Sequence, residues 1–189
     1  MTLISDEYRK QQEQLHENPH YGVASVGFAP IVAEIINKLE VKDLLDYGAG
    51  KCRLFGALQG LVKHPMRLQA YDPGVPRLSG RPVPAQMVTC IDVLEHIEPE
   101  YLDAVLDDLA RLTKEIGFFS IHTGPAVKRL ADGRNAHLIQ QPPAWWLPRI
   151  LERWPDMQTF QVTEGGFFVI VTGEGAGCAD DDKPLIVTP

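Results

Sequence analysis

The sequence predicts an α/β fold: a doubly wound sheet, mostly parallel, ending in an antiparallel hairpin and reduced along one edge. Three observations carry this. Short apolar runs alternate with helical stripes up to Trp154, the pattern of strand–helix–strand units around one sheet. Three of those runs end in an acid, at Asp46, Asp72 and Asp92. The last two runs, Met157 to Thr163 and Phe167 to Thr172, are separated only by Glu164-Gly165-Gly166, a hairpin turn.

In chain order, Ser5 to about Glu17 is polar and free of glycine and proline, with Tyr8 and Leu15 as its main anchors. It reads as a surface helix capped at Ser5 or Asp6, broken by Asn18-Pro19-His20-Tyr21-Gly22. A second helix is expected from about Pro30 to Leu39, with Ile31, Val32, Ile35, Ile36 and Leu39 on one stripe and Pro30 in its first turn. Next, Leu44-Leu45 ends in Asp46, passes through Gly48 and Gly50, and enters a helical segment from Lys51 to Leu61. Glycine at such a turn allows positive φ and close approach to a bound molecule. A short strand from Met66 then stops at Asp72-Pro73. An acid there can accept the protons of both ribose hydroxyls of a nucleoside, and Asp72 lies roughly 20 residues beyond the glycines, near the separation that role requires.

Between Asp72 and Asp92 the chain is irregular, with Pro73, Gly74, Pro76, Gly80, Pro82 and Pro84. It is too short for a helix, a strand and a further helix, so the sheet edge is expected to be pared down on this side. Val88 to Val93 is the next buried strand by its β-branched content, with Glu95 and His96 just beyond. A helix from Glu98-Pro99-Glu100 carries Leu102, Val105, Leu106, Leu109 and Leu112 on one face. The strand Gly117 to Thr123 leads into a long polar connection, Gly124 to Gln141, at the carboxyl end of the sheet, where such folds place substrates. Pro142 opens a last helix containing Trp145 and Trp146, which cannot both face the same way; a flat acceptor could stack on one, and at least one is expected in the core.

With 189 residues, 44% hydrophobic and 23% charged, the chain fits one domain. A net charge of -7 disfavours non-specific nucleic-acid binding, which needs a basic surface. Lys128, Arg129, Arg134, Arg149 and Arg153 form the one locally basic region, either a solvated face or a place to meet an anionic substrate. No apolar run is long enough for a membrane span, and Met1 to Glu7 lacks a secretory pattern, so the expectation is a cytoplasmic protein. Cys52, Cys90 and Cys178 are odd in number and widely spaced, which indicates neither a disulfide framework nor a thiolate metal site. Arg53 stands near the place where a dinucleotide fingerprint requires glycine, which argues against a nicotinamide or flavin cofactor.

The string Asp46-Tyr47-Gly48-Ala49-Gly50, followed by Asp72 and Asp92 at later strand ends, resembles the class I S-adenosylmethionine-dependent methyltransferases from about Ile31 to Thr172. Cys52 stands where that family often has a third glycine. The resemblance implies a Rossmann-like sheet with S-adenosylmethionine across its carboxyl ends. The amino-acid moiety would lie at Asp46, Gly48 and Gly50, the ribose on Asp72, and the adenine near Asp92. It also implies a division into a lid helix and loop at 1–29, with Tyr21 and Gly22 as lid contacts, a core at 30–173, and an acidic tail at 174–189. The expected reaction is methyl transfer to an oxygen or nitrogen of a small molecule or nucleoside.

Asp92, Glu95 and His96, taken with His137, resemble the metal site of small-RNA 2′-O-methyltransferases and of certain ubiquinone-pathway O-methyltransferases. There a divalent ion (magnesium, manganese or zinc) orients the acceptor hydroxyl. Asp92 replaces the glutamate usual at the first position and is one methylene shorter. His96, His122 and His137 are also the candidate general bases, because imidazole titrates near neutral pH. The alternative is a cofactor-binding or accessory domain without turnover, suggested by Cys52 and the shortened segment after Asp72.

Overall fold

The computed structural model describes residues 2–173; the acidic tail at 174–189, with Cys178, lies outside the described residues. Helices α1 (Asp6–Glu17) and α2 (Ser25–Lys38) precede strand β1 (Asp43–Tyr47), helix α3 (Arg53–Leu58) and strand β2 (Arg67–Tyr71). Strand β3 (Ala85–Ile91), helix α4 (Leu102–Leu112), strand β4 (Thr113–His122) and helix α5 (Pro143–Arg153) follow, and the hairpin β5 (Met157–Thr163) and β6 (Gly166–Thr172) ends the fold. The six strands form one sheet in the order β2-β1-β3-β4-β6-β5. The four strands from β2 to β4 are parallel, β6 runs antiparallel to β4, and β5 runs antiparallel to β6.

The period of two in the strands divides the core between the two faces. Leu45, Tyr47, Val88, Cys90, Phe119 and Ile121 pack with Leu106, Leu109 and Trp146 of α4 and α5. Leu44, Met87, Phe118, Phe168 and Ile170 pack with Val32, Ile35, Ile36 and Leu54 of α2 and α3. Both faces are covered, so the central strands read as nearly continuous apolar runs.

Two local departures from expectation have physical causes, and so does the expected reduced edge. Helix α2 starts at Ser25, five residues before Pro30, because Phe28 and Ala29 extend its buried face. The Phe28 ring lies 5.6 Å from that of Phe118. Helix α1 is capped by the Ser5 hydroxyl as expected, but it is more than a surface element: Tyr8, Gln11 and Gln12 are buried. The reduced edge is present at β2. There the Gln69 side chain donates to the Val83 carbonyl (2.9 Å) and accepts from the Val83 amide (3.1 Å), standing in for part of a neighbouring strand.

Cys52 takes the left-handed conformation (φ 56°, ψ 34°) that precedes α3, as a glycine would. A Cβ in that region costs about 1–2 kcal/mol, and glycine returns about 0.4–1 kcal/mol through unfolded-state entropy. Cys52→Gly is therefore expected to raise stability by roughly 0.5–1 kcal/mol in denaturant titration; a loss would contradict this account.

Candidate functional site

At the carboxyl ends of the parallel strands a cavity of about 400 Å³ opens beneath α1, lined by Asp46, Gly48, Gly50, Asp72, Asp92, Tyr21, His96, His122 and His137 among others. That volume lies within the range of small-molecule sites, roughly 300–1,000 Å³. Every residue expected at the cofactor thus borders one space.

The turn after β1 is fastened to β2. Gly48 N and Ala49 N both donate to the Tyr71 carbonyl, at 2.8 and 3.0 Å. Gly48 has φ 79°, and a Cβ there would stand 2.3 Å from Val93 Cγ2, so only glycine fits between the ends of β1 and β3. The Asp72 carboxylate is held by two amides, Gly50 N at 2.8 Å and Gly74 N at 2.9 Å, with its remaining lone pairs free. A Cβ on Gly50 would come within 3.0 Å of His16 Cε1 and 4.0 Å of Asp72 Oδ2, so a side chain there would enter the space before the acid. Missing side-chain volume, an oriented carboxylate and a strand-end position together fit the ribose of a nucleoside.

Asp46 is buried and its Oδ1 accepts from the Thr89 hydroxyl at 2.9 Å. Burial pushes its carboxyl up to about 7 against that hydrogen bond, with the Asp72 charge adding to the rise. The folded protein therefore keeps this proton between pH about 4 and about 7, where the unfolded chain has released it, and Asp46 makes stability fall as pH rises through that window. Asp46→Asn keeps the Thr89 contact and removes the titration. Between about pH 5 and about pH 8 the variant is expected to lose less melting temperature than wild type; equal losses would remove Asp46 from the account.

His96 and His137 also border the cavity, and together with Glu95, buried outside its lining, they bring one ligand atom each within 4.8 Å of one another. His96 Nδ1 lies 2.8 Å from the Ala136 carbonyl and His137 Nδ1 lies 2.7 Å from the Gly124 carbonyl. A carbonyl only accepts, so both Nδ1 atoms carry the proton and both neutral imidazoles leave Nε2 with its lone pair. Burial drives His96 down to about 3, with His137 contributing, and burial also lowers His137. Glu95 is fully buried; its Oε1 accepts from His122 N at 2.9 Å, while Oε2 has no partner. Burial, then the Asp92 charge, pushes its carboxyl well above the usual range.

Asp92 does not join this group. It sits at φ 52° and its Oδ1 accepts from the Ser120 hydroxyl at 2.6 Å, which turns the shorter side chain toward β4. His122 borders the cavity, its ring 4.9 Å from that of His137, with Nδ1 engaged at Gly124.

Other candidates are dispersed. Of Asp132 to His137, only His137 lines the cavity. Asp132 pairs with Arg134, Arg153 meets Asp103, Asp107 and Glu152, and Arg149 lies 3.6 Å above the Trp145 ring. Among the basic residues singled out in that region, Lys128 alone reaches the cavity. Trp146 is core, and neither tryptophan lines the cavity.

Helix α1 supplies residues that the sequence did not mark. Tyr8, Gln12 and His16 recur every four residues, which puts them on one helical face above the cavity. Tyr8 donates to the His96 carbonyl (2.5 Å), Gln12 donates to Tyr8 (2.6 Å), and Tyr21 donates to Gln12 (3.1 Å). The Tyr21 ring sits between those of His16 and His96, at 5.1 and 5.9 Å. Gln11 reaches outside the cavity to Asp132 at 3.0 Å, which ties α1 to the loop that carries His137.

No family model matches the chain, and no curated protein matches it in sequence. Solved structures do match in fold. An O-methyltransferase family protein from Burkholderia thailandensis superposes with a TM-score of 0.59 at 11% identity, over 89% of this chain and 64% of that one. The DhpI–SAH complex matches with a TM-score of 0.56 at 16% identity, over 89% of this chain and 94% of that one. The small RNA methyltransferase HEN1 matches with a TM-score of 0.55 at 11% identity, over 78% of this chain and 25% of that one. This chain spans only 64% and 55% of the length of the first two solved structures it matches. No helix among the described residues is long and apolar enough to cross a membrane. Strand order, the acid-bearing strand ends and these likenesses together give the chain the fold of the class I S-adenosylmethionine-dependent methyltransferases.

Proposed function

We propose that this protein transfers a methyl group from S-adenosylmethionine to an oxygen or nitrogen acceptor on a small molecule or nucleoside, a hydroxyl being favoured, with a divalent ion held by Glu95, His96 and His137. The observation that carries the reading is one cavity bordered by Asp72 and by His96 and His137, the two imidazoles grouped with the buried Glu95. The cofactor supplies a sulfonium methyl and departs as the thioether S-adenosylhomocysteine. Asp72 receives the ribose hydroxyls, Asp46 lies near the amino-acid moiety, and α1 with Tyr21 keeps water from the methyl carbon. The protein's share of an in-line displacement is alignment of the acceptor with the carbon–sulfur bond.

The protonation pattern favours ligation over base catalysis at His96. A group whose pKa lies near 3 takes up almost no proton at neutral pH, whereas an efficient general base titrates near the working pH. A fixed Nδ1–H bond to a backbone carbonyl is the arrangement that prepares Nε2 as a metal ligand. The unpartnered Glu95 Oε2 completes a set of one carboxylate and two imidazoles, which fits manganese or zinc better than magnesium. Such an ion would supply a positive charge that lowers the pKa of an acceptor hydroxyl, whose proton would pass to solvent as the oxygen takes up the methyl group.

The reading as a binding-only domain loses one support, because Cys52 adopts the glycine-like conformation and the turn keeps its shape. Calorimetry with S-adenosylhomocysteine, followed by transfer of labelled methyl to fractionated extracts and RNA, separates the two. Binding with incorporation is expected; binding without incorporation into any fraction supports the domain without turnover. Absence of binding ends the cofactor reading.

A further inference from the structure

The face of α1 above Asp72 holds an imidazole without hydrogen-bond partners. His16 Nδ1 is buried and unpaired, and Nε2 stands 3.9 Å from Asp72 Oδ2, beyond hydrogen-bond reach. A single oxygen placed about 2.8 Å from both atoms closes that gap. Both His16 and Asp72 border the cavity, and the small residue between them is Gly50, whose missing side chain keeps the space open.

We infer that His16 is a nucleoside contact, its imidazole sharing one ribose hydroxyl of the cofactor with the Asp72 carboxylate. The inference rests on the cofactor assigned above. Nε2–H donates to the hydroxyl oxygen while the hydroxyl proton is donated to Asp72, so each group keeps a complementary role. Burial lowers the His16 pKa against the pull of Asp72, with Lys51 adding to the fall, and a neutral ring has one N–H to give to this bond. The Asp72 oxygens retain lone pairs for the hydroxyl after accepting from Gly50 and Gly74. The bound nucleoside would thereby fasten α1, and through Gln11 and Asp132 the loop that carries His137.

The test uses S-adenosylhomocysteine and its 2′-deoxy and 3′-deoxy analogues, titrated calorimetrically into wild type, His16→Ala and His16→Gln. His16→Ala is expected to weaken S-adenosylhomocysteine roughly 3- to 10-fold, the worth of one hydrogen bond. Removal of the shared hydroxyl should cost wild type more than it costs His16→Ala, by about the same factor. His16→Gln, which keeps a donor, should retain more affinity than alanine. Unchanged affinity in His16→Ala overturns the inference, and so does a weakening with the same deoxy penalty in both proteins, which is the signature of lid packing alone. If His16→Ala does not fold, the comparison runs on His16→Leu, which also lacks the donor, by the same criteria. Failure of wild type to bind S-adenosylhomocysteine overturns both the cofactor reading and this inference; normal wild-type binding with an unaffected His16→Ala or His16→Leu overturns this one alone.

Discussion

Asp72→Ala is expected to weaken S-adenosylhomocysteine binding by at least about 100-fold. Hydrogen bonds to a charged group contribute about 1.5–3 kcal/mol each, so two lost ribose contacts correspond to about 10²- to 10⁴-fold in affinity. The substitution also strips the acceptor from Gly50 N and Gly74 N, which hold the turn beside the cavity. Asp72→Asn keeps one carbonyl oxygen but sets an amino group against one of those amides, so an intermediate loss is expected. Calorimetry reads both variants, and binding within about threefold of wild type by Asp72→Ala would remove the ribose from this strand end.

The second large effect is at the cluster. Protein purified without chelator is expected to carry one divalent ion per chain by elemental analysis, and His137→Ala to lose it. Methyl transfer should fall by more than about 100-fold on chelation and return with manganese or zinc, given that even outer partners of metal ligands contribute about 10- to 100-fold. His137→Ala should match the chelated wild type and not respond to added ion. Chelator-resistant transfer by metal-free protein would refute ion assistance and return His96 and His137 to consideration as bases. Glu95→Gln separates the two outcomes further: with an ion it loses a charged ligand, whereas without one it replaces a carboxyl whose ionisation burial already disfavours.

The scaffold was legible because period and punctuation are local. Strand runs ending at Asp46, Asp72 and Asp92 carry their own stop signals, and the stripe of α4 repeats with helical spacing. The metal candidates were legible in part: Glu95 and His96 are neighbours, while His137 depends on where a long loop returns. Asp92 illustrates the limit. Spacing and the family resemblance put it with Glu95, but its left-handed backbone and the Ser120 hydroxyl, 28 positions away, direct it elsewhere. The contribution of α1 was hidden by chemistry. Tyr8 already reads as an anchor of this helix, but Gln12 and His16, which follow it at helical spacing, are polar side chains that read as solvent-facing until a cavity lies beneath them.

The shortened edge has a consequence for how the molecule behaves among its own copies. An open strand at a sheet margin offers unpaired peptide groups to any passing strand, the usual seed of aggregation. Gln69 occupies the Val83 backbone with a side-chain amide that imitates a peptide unit, and the chain on that flank carries Pro82 and Pro84, which have no N–H to offer. At the β2 margin the sheet thus ends by mimicry at one residue, and the boundary so made leaves fewer peptide groups open to a passing strand.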